Sequence, residues 1–220
     1  MANNTLPLYH IVRESSLKEN APLLIMFHGY GSDENDLFSF ANELPENLFI
    51  ISVRAPYSMQ PQGNAWYAIN FDAEKGKWSD NEQAIVSRDL IADFIDECVE
   101  KYPVNKNNIS LLGFSQGAIL SYAVALTYPE KVQNIIALSG YVNLDILEQD
   151  TNKDYSKLDF YCSHGSVDQV IDVNWARKTK PFLDSLKIKN TYSEFPVGHG
   201  VAPQNFYELK DWLQKRTVSQ

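Results

Sequence analysis

The sequence has 220 residues, of which 44% are hydrophobic, and this length suits one large α/β domain or two small ones. Its formal net charge of −9 repels phosphate backbones, so we do not expect nucleic acid as a partner. The two cysteines, Cys98 and Cys162, are too few for a disulfide framework and lie in apolar stretches that predict buried thiols. Neither a signal peptide nor a membrane-spanning run is visible, so we expect a cytoplasmic protein without stable membrane insertion.

Strand-like and helix-like segments alternate along the chain, a pattern typical of a mostly parallel sheet with helices on both faces. Predicted strands cover residues 7–13, 23–27, 47–53, 108–112, 134–138, 159–162 and 191–195. Predicted helices cover 84–102, with an apolar stripe that starts at Val86, and 117–128, which is apolar almost all round; a third begins near Pro203. The longest irregular stretch is 55–80. We interpret 1–220 as one α/β domain without a separate cap domain.

A candidate nucleophile lies where the fourth predicted strand meets the buried helix. The local sequence is Gly113-Phe114-Ser115-Gln116-Gly117, a Gly-x-Ser-x-Gly motif between an apolar strand and an apolar helix. This context is the one that a nucleophile elbow needs, because the tight turn lifts the serine oxygen above the sheet. An ordinary serine in a strand–helix turn is the alternative reading of the same five residues.

A serine hydroxyl needs a general base, and four histidines are available: His10, His28, His164 and His199. In folds that carry a nucleophile elbow, the chain order is Ser, then Asp or Glu, then His, which leaves His164 and His199. His199 is favoured because it lies between two glycines after the last strand, where a loop can carry the imidazole over the sheet edge. His164 lies directly at a strand end and is expected to brace the loop that follows.

The acid that orients this base is expected to be Asp168, a few residues after the strand that ends near Cys162. A carboxylate there can fix the imidazole tautomer and stabilise the imidazolium that forms. Asp172 is the nearest rival, and Asp168 can alternatively cap its own loop. Other aspartates between the serine and the histidine are Asp145, Asp154 and Asp159.

Acyl transfer also needs donors for the developing oxyanion. The backbone N–H of Gln116, directly after the nucleophile, is one predicted donor. The second is the backbone N–H of Tyr30, in the glycine-rich loop Phe27-His28-Gly29-Tyr30-Gly31-Ser32. A glycine-rich turn without a catalytic part is the alternative reading of that loop.

Taken together, these motifs resemble the phospholipase/carboxylesterase family of small α/β-hydrolases, which includes the acyl-protein thioesterases. The residues that carry the resemblance are His28-Gly29-Tyr30-Gly31, Arg54-Ala55-Pro56, Trp66-Tyr67, the Ser115 motif, Leu138-Ser139-Gly140, His164-Gly165 with Asp168, and Gly198-His199. The resemblance implies the α/β-hydrolase fold and the same triad, Ser115, Asp168 and His199. It also implies hydrolysis of esters or thioesters without a metal or cofactor. Tyr30 stands where eukaryotic acyl-protein thioesterases usually have leucine, which favours the bacterial carboxylesterase branch.

The aromatic stretch 55–80 is the predicted wall of the substrate pocket, with Met59, Trp66 and Tyr67 as candidate substrate-binding residues. These side chains can instead pin the long loop to the core or form a homodimer contact. The expected function is hydrolysis of carboxylic esters with short to medium acyl chains. Lysophospholipase, acyl-protein thioesterase or peptidase activity, or a non-catalytic binding protein, are the alternatives.

Overall fold

The computed structural model describes residues 6–72, 76–148 and 152–217. Strands within these ranges are β1 (His10–Arg13), β2 (Ala21–Phe27), β3 (Phe49–Val53), β4 (Tyr57–Ser58), β5 (Asn64–Ala65), β6 (Ile69–Asp72), β7 (Gly76–Ser79), β8 (Val104–Phe114), β9 (Asn134–Leu138), β10 (Asp159–Gly165) and β11 (Lys189–Phe195). The α-helices there are α1 (Asn35–Phe38), α2 (Asn81–Lys101), α3 (Gln116–Thr127), α4 (Val173–Ala176), α5 (Thr179–Ser185) and α6 (Pro203–Thr217). Both ends of the range 1–220 lie outside the described residues, and the single domain stays a prediction.

The main sheet has seven strands in the order β1-β3-β2-β8-β9-β10-β11. β1 runs antiparallel to β3, and all the other neighbouring strands are parallel. The predicted, mostly parallel sheet is therefore confirmed. Because parallel strands end at the same edge, the loops after β2, β8, β10 and β11 come together there, which is where open α/β sheets bind ligands.

Strand β2 shows why the sheet is covered on both faces. Leu23, Ile25 and Phe27 point into one apolar cluster, whereas Leu24 and Met26 point into another. Helices α2, α3 and α5 contribute to the first cluster, and α1 and α6 contribute to the second. A strand with two buried faces reads as a continuous apolar run, which explains why its sequence does not alternate.

The two long central helices bury their predicted sides with one exception. Every residue of α3 is buried, as its uniformly apolar sequence predicts. The buried side of α2 includes Ala84, Ile91 and Ile95, but Val86 is 56% exposed. Placing Val86 in the apolar stripe is wrong, because at about 100° per residue it lies far round the helix from Ile91. Among the described residues, no helix is both long and apolar enough to cross a membrane.

The stretch 55–80 is more regular than its sequence predicts. Its described residues form two antiparallel hairpins, β4 with β5 and β6 with β7, and residues 73–75 lie outside the described part. Strands of two to four residues are too short to show a clear alternation of apolar and polar side chains. The expectation of an irregular loop is therefore wrong for this stretch.

Replacing Gly117 by alanine tests the packing of α3 on β2. A Cβ atom there would lie 2.1 Å from the carbonyl oxygen of Phe27, so the helix and the strand would have to separate. We expect Gly117→Ala to lower the free energy of unfolding by about 1–3 kcal/mol in urea denaturation. Gly200→Ala is the matched control, because a Cβ atom at Gly200 meets nothing within 4 Å. Equal unfolding midpoints for the two variants would contradict this packing.

Candidate active site

The turn between β8 and α3 holds Ser115 in a strained backbone conformation. Its φ is 53° and its ψ is −115°, in a region that L-residues rarely adopt. Two glycines make the turn sterically possible, since a Cβ at Gly113 would lie 2.3 Å from the carbonyl oxygen of Gly117. The Ser115 amide donates to the carbonyl of Leu138 on β9, at 2.8 Å. These contacts fix the serine at the carboxyl edge of the sheet.

Three side chains from separate loops meet in one hydrogen-bonded chain. His199 Nε2 lies 2.9 Å from Ser115 Oγ, and His199 Nδ1 lies 2.7 Å from Asp168 Oδ2. The carboxylate is fully buried, while the His199 side chain is 16% exposed and Ser115 is 8% exposed. The structure thus brings together the three residues singled out in the sequence, with the acid innermost.

The loop after β10 fixes the orientation of Asp168. Its Oδ1 accepts hydrogen bonds from the backbone amides of Val170 and Ile171, at 2.8 and 3.0 Å. Burial raises the pKa of this carboxyl, but the hydrogen bonds from His199 and the two amides outweigh it and leave the pKa below its usual value. Asp168 is therefore held as a carboxylate whose Oδ2 faces the imidazole.

The rival aspartates Asp172 and Asp159 bind other groups, and the rival histidine, His164, contacts Asp168 rather than Ser115. Asp172 accepts from the amide of Asn174 at 2.8 Å and caps α4. Asp159 pairs with Arg216 at 2.7 Å, near the other end of β10. His164 is buried, and its Nε2 lies 2.9 Å from the carbonyl oxygen of Ile171, which agrees with its predicted role in bracing the loop.

The two residues predicted to supply the oxyanion donors line the cavity that contains Ser115. Gln116 is the first residue of α3, so its backbone N–H has no carbonyl partner within the helix. Tyr30 lies in the turn after β2, and both residues border the same cavity as Ser115. The positive end of the α3 dipole also points to this place. The site can therefore offer backbone donors to a negative oxygen.

His28 connects the Tyr30 loop to Ala55, a role that was not predicted from the sequence. Its Nδ1–H donates to the carbonyl of Gly29 at 2.7 Å, and its Nε2 accepts from the amide of Ala55 at 3.0 Å. Burial lowers the pKa of His28 more than Gly29 and the nearby acidic residues raise it, which agrees with a neutral ring. A histidine at the end of a fully apolar strand was the available signal, since a buried ring needs partners for both nitrogens.

The Gln116 side chain ties the nucleophile turn to the stretch 55–80. Its Oε1 accepts from the amide of Trp66 and its Nε2 donates to the carbonyl of Tyr67, each at 2.8 Å. The indole N–H of Trp66 donates to the carbonyl of His28 at 3.0 Å. One buried network thus joins the serine turn, the Tyr30 loop and the pocket wall.

An ion pair between the buried Glu34 and the partly exposed Arg54 anchors the far side of the Tyr30 loop. Arg54 binds both carboxylate oxygens of Glu34, at 2.6 and 2.5 Å, and the Glu34 side chain is only 4% exposed. The hydrogen bonds from Arg54 lower the pKa of Glu34, so this residue stays ionised. A two-point contact of this geometry fixes orientation as well as distance.

A cavity of about 1030 Å³ opens above Ser115. Apolar side chains form much of its lining, among them Ile69, Trp78, Ile119, Tyr141, Leu144, Val170, Ile171, Trp175 and Phe182. Tyr67 also lines it, as predicted, but Trp66 and Met59 do not. Their predicted contact with substrate is corrected: Trp66 is fully buried with its N–H bonded to His28, and Met59 belongs to the β4–β5 turn, where its amide donates to Gly63.

Comparison with known proteins gives consistent matches. The model of the Phospholipase/Carboxylesterase family matches residues 9–217. Acyl-protein thioesterase 1 of Saccharomyces cerevisiae is 31% identical over 162 residues, which cover 70% of each chain. Acyl-protein thioesterase 1 of Yarrowia lipolytica is 25% identical over 96% of this chain and 98% of its own.

Solved structures show the same fold. The crystal structure of the Bacillus cereus carboxylesterase has a TM-score of 0.82 at 20% identity, covering 96% of this chain and 95% of that one. Esterase PE8 has a TM-score of 0.82 at 22% identity, covering 95% of this chain and 99% of that one. Relatives from yeasts and a bacterium both occur, so the bacterial branch stays a prediction. The chain belongs to the phospholipase/carboxylesterase family and is a hydrolase with the α/β-hydrolase fold.

Proposed function

We propose that this protein hydrolyses carboxylic esters through an acyl-enzyme on Ser115. The observation that carries the proposal is the unbroken hydrogen-bond chain from Asp168 through His199 to Ser115 Oγ, at 2.7 and 2.9 Å. Both distances lie within the reach that a general base and its orienting acid require. The chain ends beside an apolar cavity, where an acyl group finds room.

The proposed reaction has two steps. Ser115 Oγ attacks the ester carbonyl while His199 Nε2 takes its proton, and the same nitrogen then protonates the leaving alcohol. A water molecule, deprotonated by His199, next attacks the acyl-enzyme and releases the acid. Throughout, Asp168 keeps its charge and stabilises the imidazolium, as its lowered pKa favours.

In each step negative charge collects on the former carbonyl oxygen. We assign its two donors to the backbone N–H groups of Gln116 and Tyr30. Each such donor is worth roughly a factor of 10²–10³ in rate when it is held in place before the reaction. The bonds of His28 and of the Gln116 side chain hold both donors in this way.

The cavity favours acyl chains of medium length over very short ones. Its volume of about 1030 Å³ lies at the upper end of ordinary small-molecule sites, which span about 300–1,000 Å³. An acetyl group would leave most of the apolar lining without a partner. Of the short to medium range expected from the sequence, we therefore propose the longer part.

Thioester hydrolysis is the second candidate, because the relatives from Saccharomyces cerevisiae and Yarrowia lipolytica carry the name acyl-protein thioesterase. The same attack and the same donors serve a thioester, whose leaving group is a thiol. Cytoplasmic location, homodimer formation and the lack of nucleic-acid binding stay predictions from the sequence.

Replacing the nucleophile is the test of this function. Ser115→Ala removes the attacking oxygen, and we expect kcat for p-nitrophenyl esters to fall by a factor on the order of 10⁴–10⁶. A fluorophosphonate probe should label the wild type and not this variant. Ser185→Ala, at an exposed serine outside the cavity, is the matched control and should keep full activity and labelling. An active Ser115→Ala variant would refute the proposal, and an unlabelled wild type would favour a binding protein.

The pH dependence separates the base from the acid. Because the pKa of Asp168 lies below its usual value of 3.8, its charge persists at neutral pH and is lost only on strong acidification. The acid limb of kcat/KM therefore does not arise from Asp168, and activity should rise with pH along it. In Asp168→Asn the imidazolium loses its carboxylate, so the limb should move to lower pH and kcat should fall by a factor on the order of 10⁴. An unmoved limb would contradict the proposed role of Asp168.

Trp175 tests the assignment of the apolar wall. Its side chain lines the cavity, is 51% exposed and lies 5.1 Å from the Tyr141 ring, so its removal should leave the fold intact. We expect Trp175→Ala to lower kcat/KM for p-nitrophenyl octanoate roughly 3- to 10-fold and to leave the acetate ester nearly unchanged. Tyr207→Ala removes a similarly exposed aromatic side chain outside the cavity and is the control. Equal losses for both esters would argue against an acyl-binding wall.

A further inference from the structure

A second imidazole contacts the carboxylate of Asp168. His164 Nε2 lies 3.2 Å from Asp168 Oδ2, the same oxygen that accepts from His199. The side chains of His164 and Asp168 are both fully buried. His164 is thus well placed to act on the acid of the proposed triad without reaching the substrate, since it does not line the cavity.

The partners of His164 define its protonation state. Its Nε2 also lies 2.9 Å from the carbonyl oxygen of Ile171, which can only accept, so Nε2 carries a proton. Its Nδ1 is buried and has no hydrogen-bond partner within the described part of the chain. A proton there would bury an unpaired N–H and a positive charge, which is costly. The ring N–H on Nε2 therefore donates to Ile171 and lies near Asp168 Oδ2.

The Nε2–H of His164 connects the sheet to the loop that holds the carboxylate. Oδ1 of Asp168 already accepts from the amides of Val170 and Ile171, which fix one half of the group. Oδ2 accepts from His199 at 2.7 Å and lies 3.2 Å from His164 Nε2, whose N–H is directed to the carbonyl of Ile171. Because His164 belongs to β10 and Ile171 follows the acid loop, the same hydrogen ties the end of that loop back to the sheet.

Asp168 is a carboxylate that His164 contacts, at 3.2 Å. On the neighbouring strand β11, Glu194 occupies the paired position, but its carboxylate binds Arg177 at 2.7 Å through both oxygens. A second titratable group, His199, contacts the same oxygen of Asp168 at 2.7 Å.

We propose that His164 is a positioning residue for acyl transfer, through the N–H that it donates to Ile171 beside Asp168 Oδ2; this rests on the proposed function of the triad. It holds the carboxylate where Oδ2 meets His199, and it draws part of the negative charge of Oδ2 away from the imidazole. Removing the N–H then has two effects that can be measured separately. The orientation of His199 is loosened, and its protonated form is stabilised.

Two substitutions test this. His164→Phe keeps a ring of similar size without the donor, whereas His164→Gln offers an amide N–H in its place. In the Phe variant we expect kcat for p-nitrophenyl esters to fall roughly 10- to 100-fold with little change in KM, by analogy with other groups that orient a functional side chain. The acid limb of kcat/KM should move to higher pH, opposite to its movement in Asp168→Asn. The Gln variant should recover most of both changes.

A double-mutant cycle shows whether His164 acts through Asp168. In the Asp168→Asn background, His164→Phe should add little to the loss of rate or of fluorophosphonate labelling. Fully additive losses, or an unmoved acid limb in a folded His164→Phe variant, would overturn the proposal. If Ser115→Ala stays active, the proposed function itself is wrong. If Ser115→Ala is inactive and only the His164 results differ from those expected, the positioning role of His164 is wrong and the triad is unaffected.

Nuclear magnetic resonance of the ring nitrogens in the wild type gives a test that needs no variant. The His164 ring should carry a proton on Nε2 at a pH where the enzyme is active. A ring with its proton on Nδ1 alone would overturn the proposal, because no N–H would then face Ile171 and Asp168.

Discussion

The backbone of Ser115 turns from β8 into α3 where three main-chain segments nearly touch, and the positions of the other site groups depend on this turn. A Cβ atom at Gly117 would lie 2.1 Å from the carbonyl of Phe27, and one at Gly113 would lie 2.3 Å from the carbonyl of Gly117. A strained residue of this kind costs about 1–3 kcal/mol. The burial of α3 and the hydrogen bond from Ser115 to Leu138 offset that cost. The same turn leaves the Gln116 amide free at the start of a helix.

Buried polar side chains then hold the surrounding loops at fixed distances from the serine. His28 supports the Tyr30 loop, the Gln116 side chain holds the pocket wall, and Asp168 binds the amides of its own loop. Each lies in a largely apolar interior, where a polar group without a hydrogen-bond partner costs free energy. A group that has its partner is therefore held to the geometry of that bond. A site held in this way needs little reorganisation when charge develops on the substrate.

The sequence predicted the strands and the order of the candidate catalytic residues along the chain. It did not predict the hydrogen-bond partners of the side chains that support them. Continuous apolar runs identified the strands, and chain order with glycine-flanked loops singled out Asp168 and His199, which the fold brings within hydrogen-bond distance of each other. The partners of His28 and His164 come from segments distant in sequence or from main-chain carbonyls, which no local pattern records. Trp66 failed as a pocket residue for a related reason, because composition shows that an aromatic ring is present but not which way it points. The hairpins in 55–80 are too short to leave a periodic signal.

The most direct measurement of the central claim is intact-protein and peptide mass spectrometry after rapid acid quenching of the enzyme with p-nitrophenyl octanoate. We expect an added octanoyl mass during turnover, located on the peptide that contains Ser115 and absent after the ester is exhausted. Hydrolysis at full rate with an octanoyl adduct on another residue would contradict it, because Ser115 would then not be the group that receives the acyl chain.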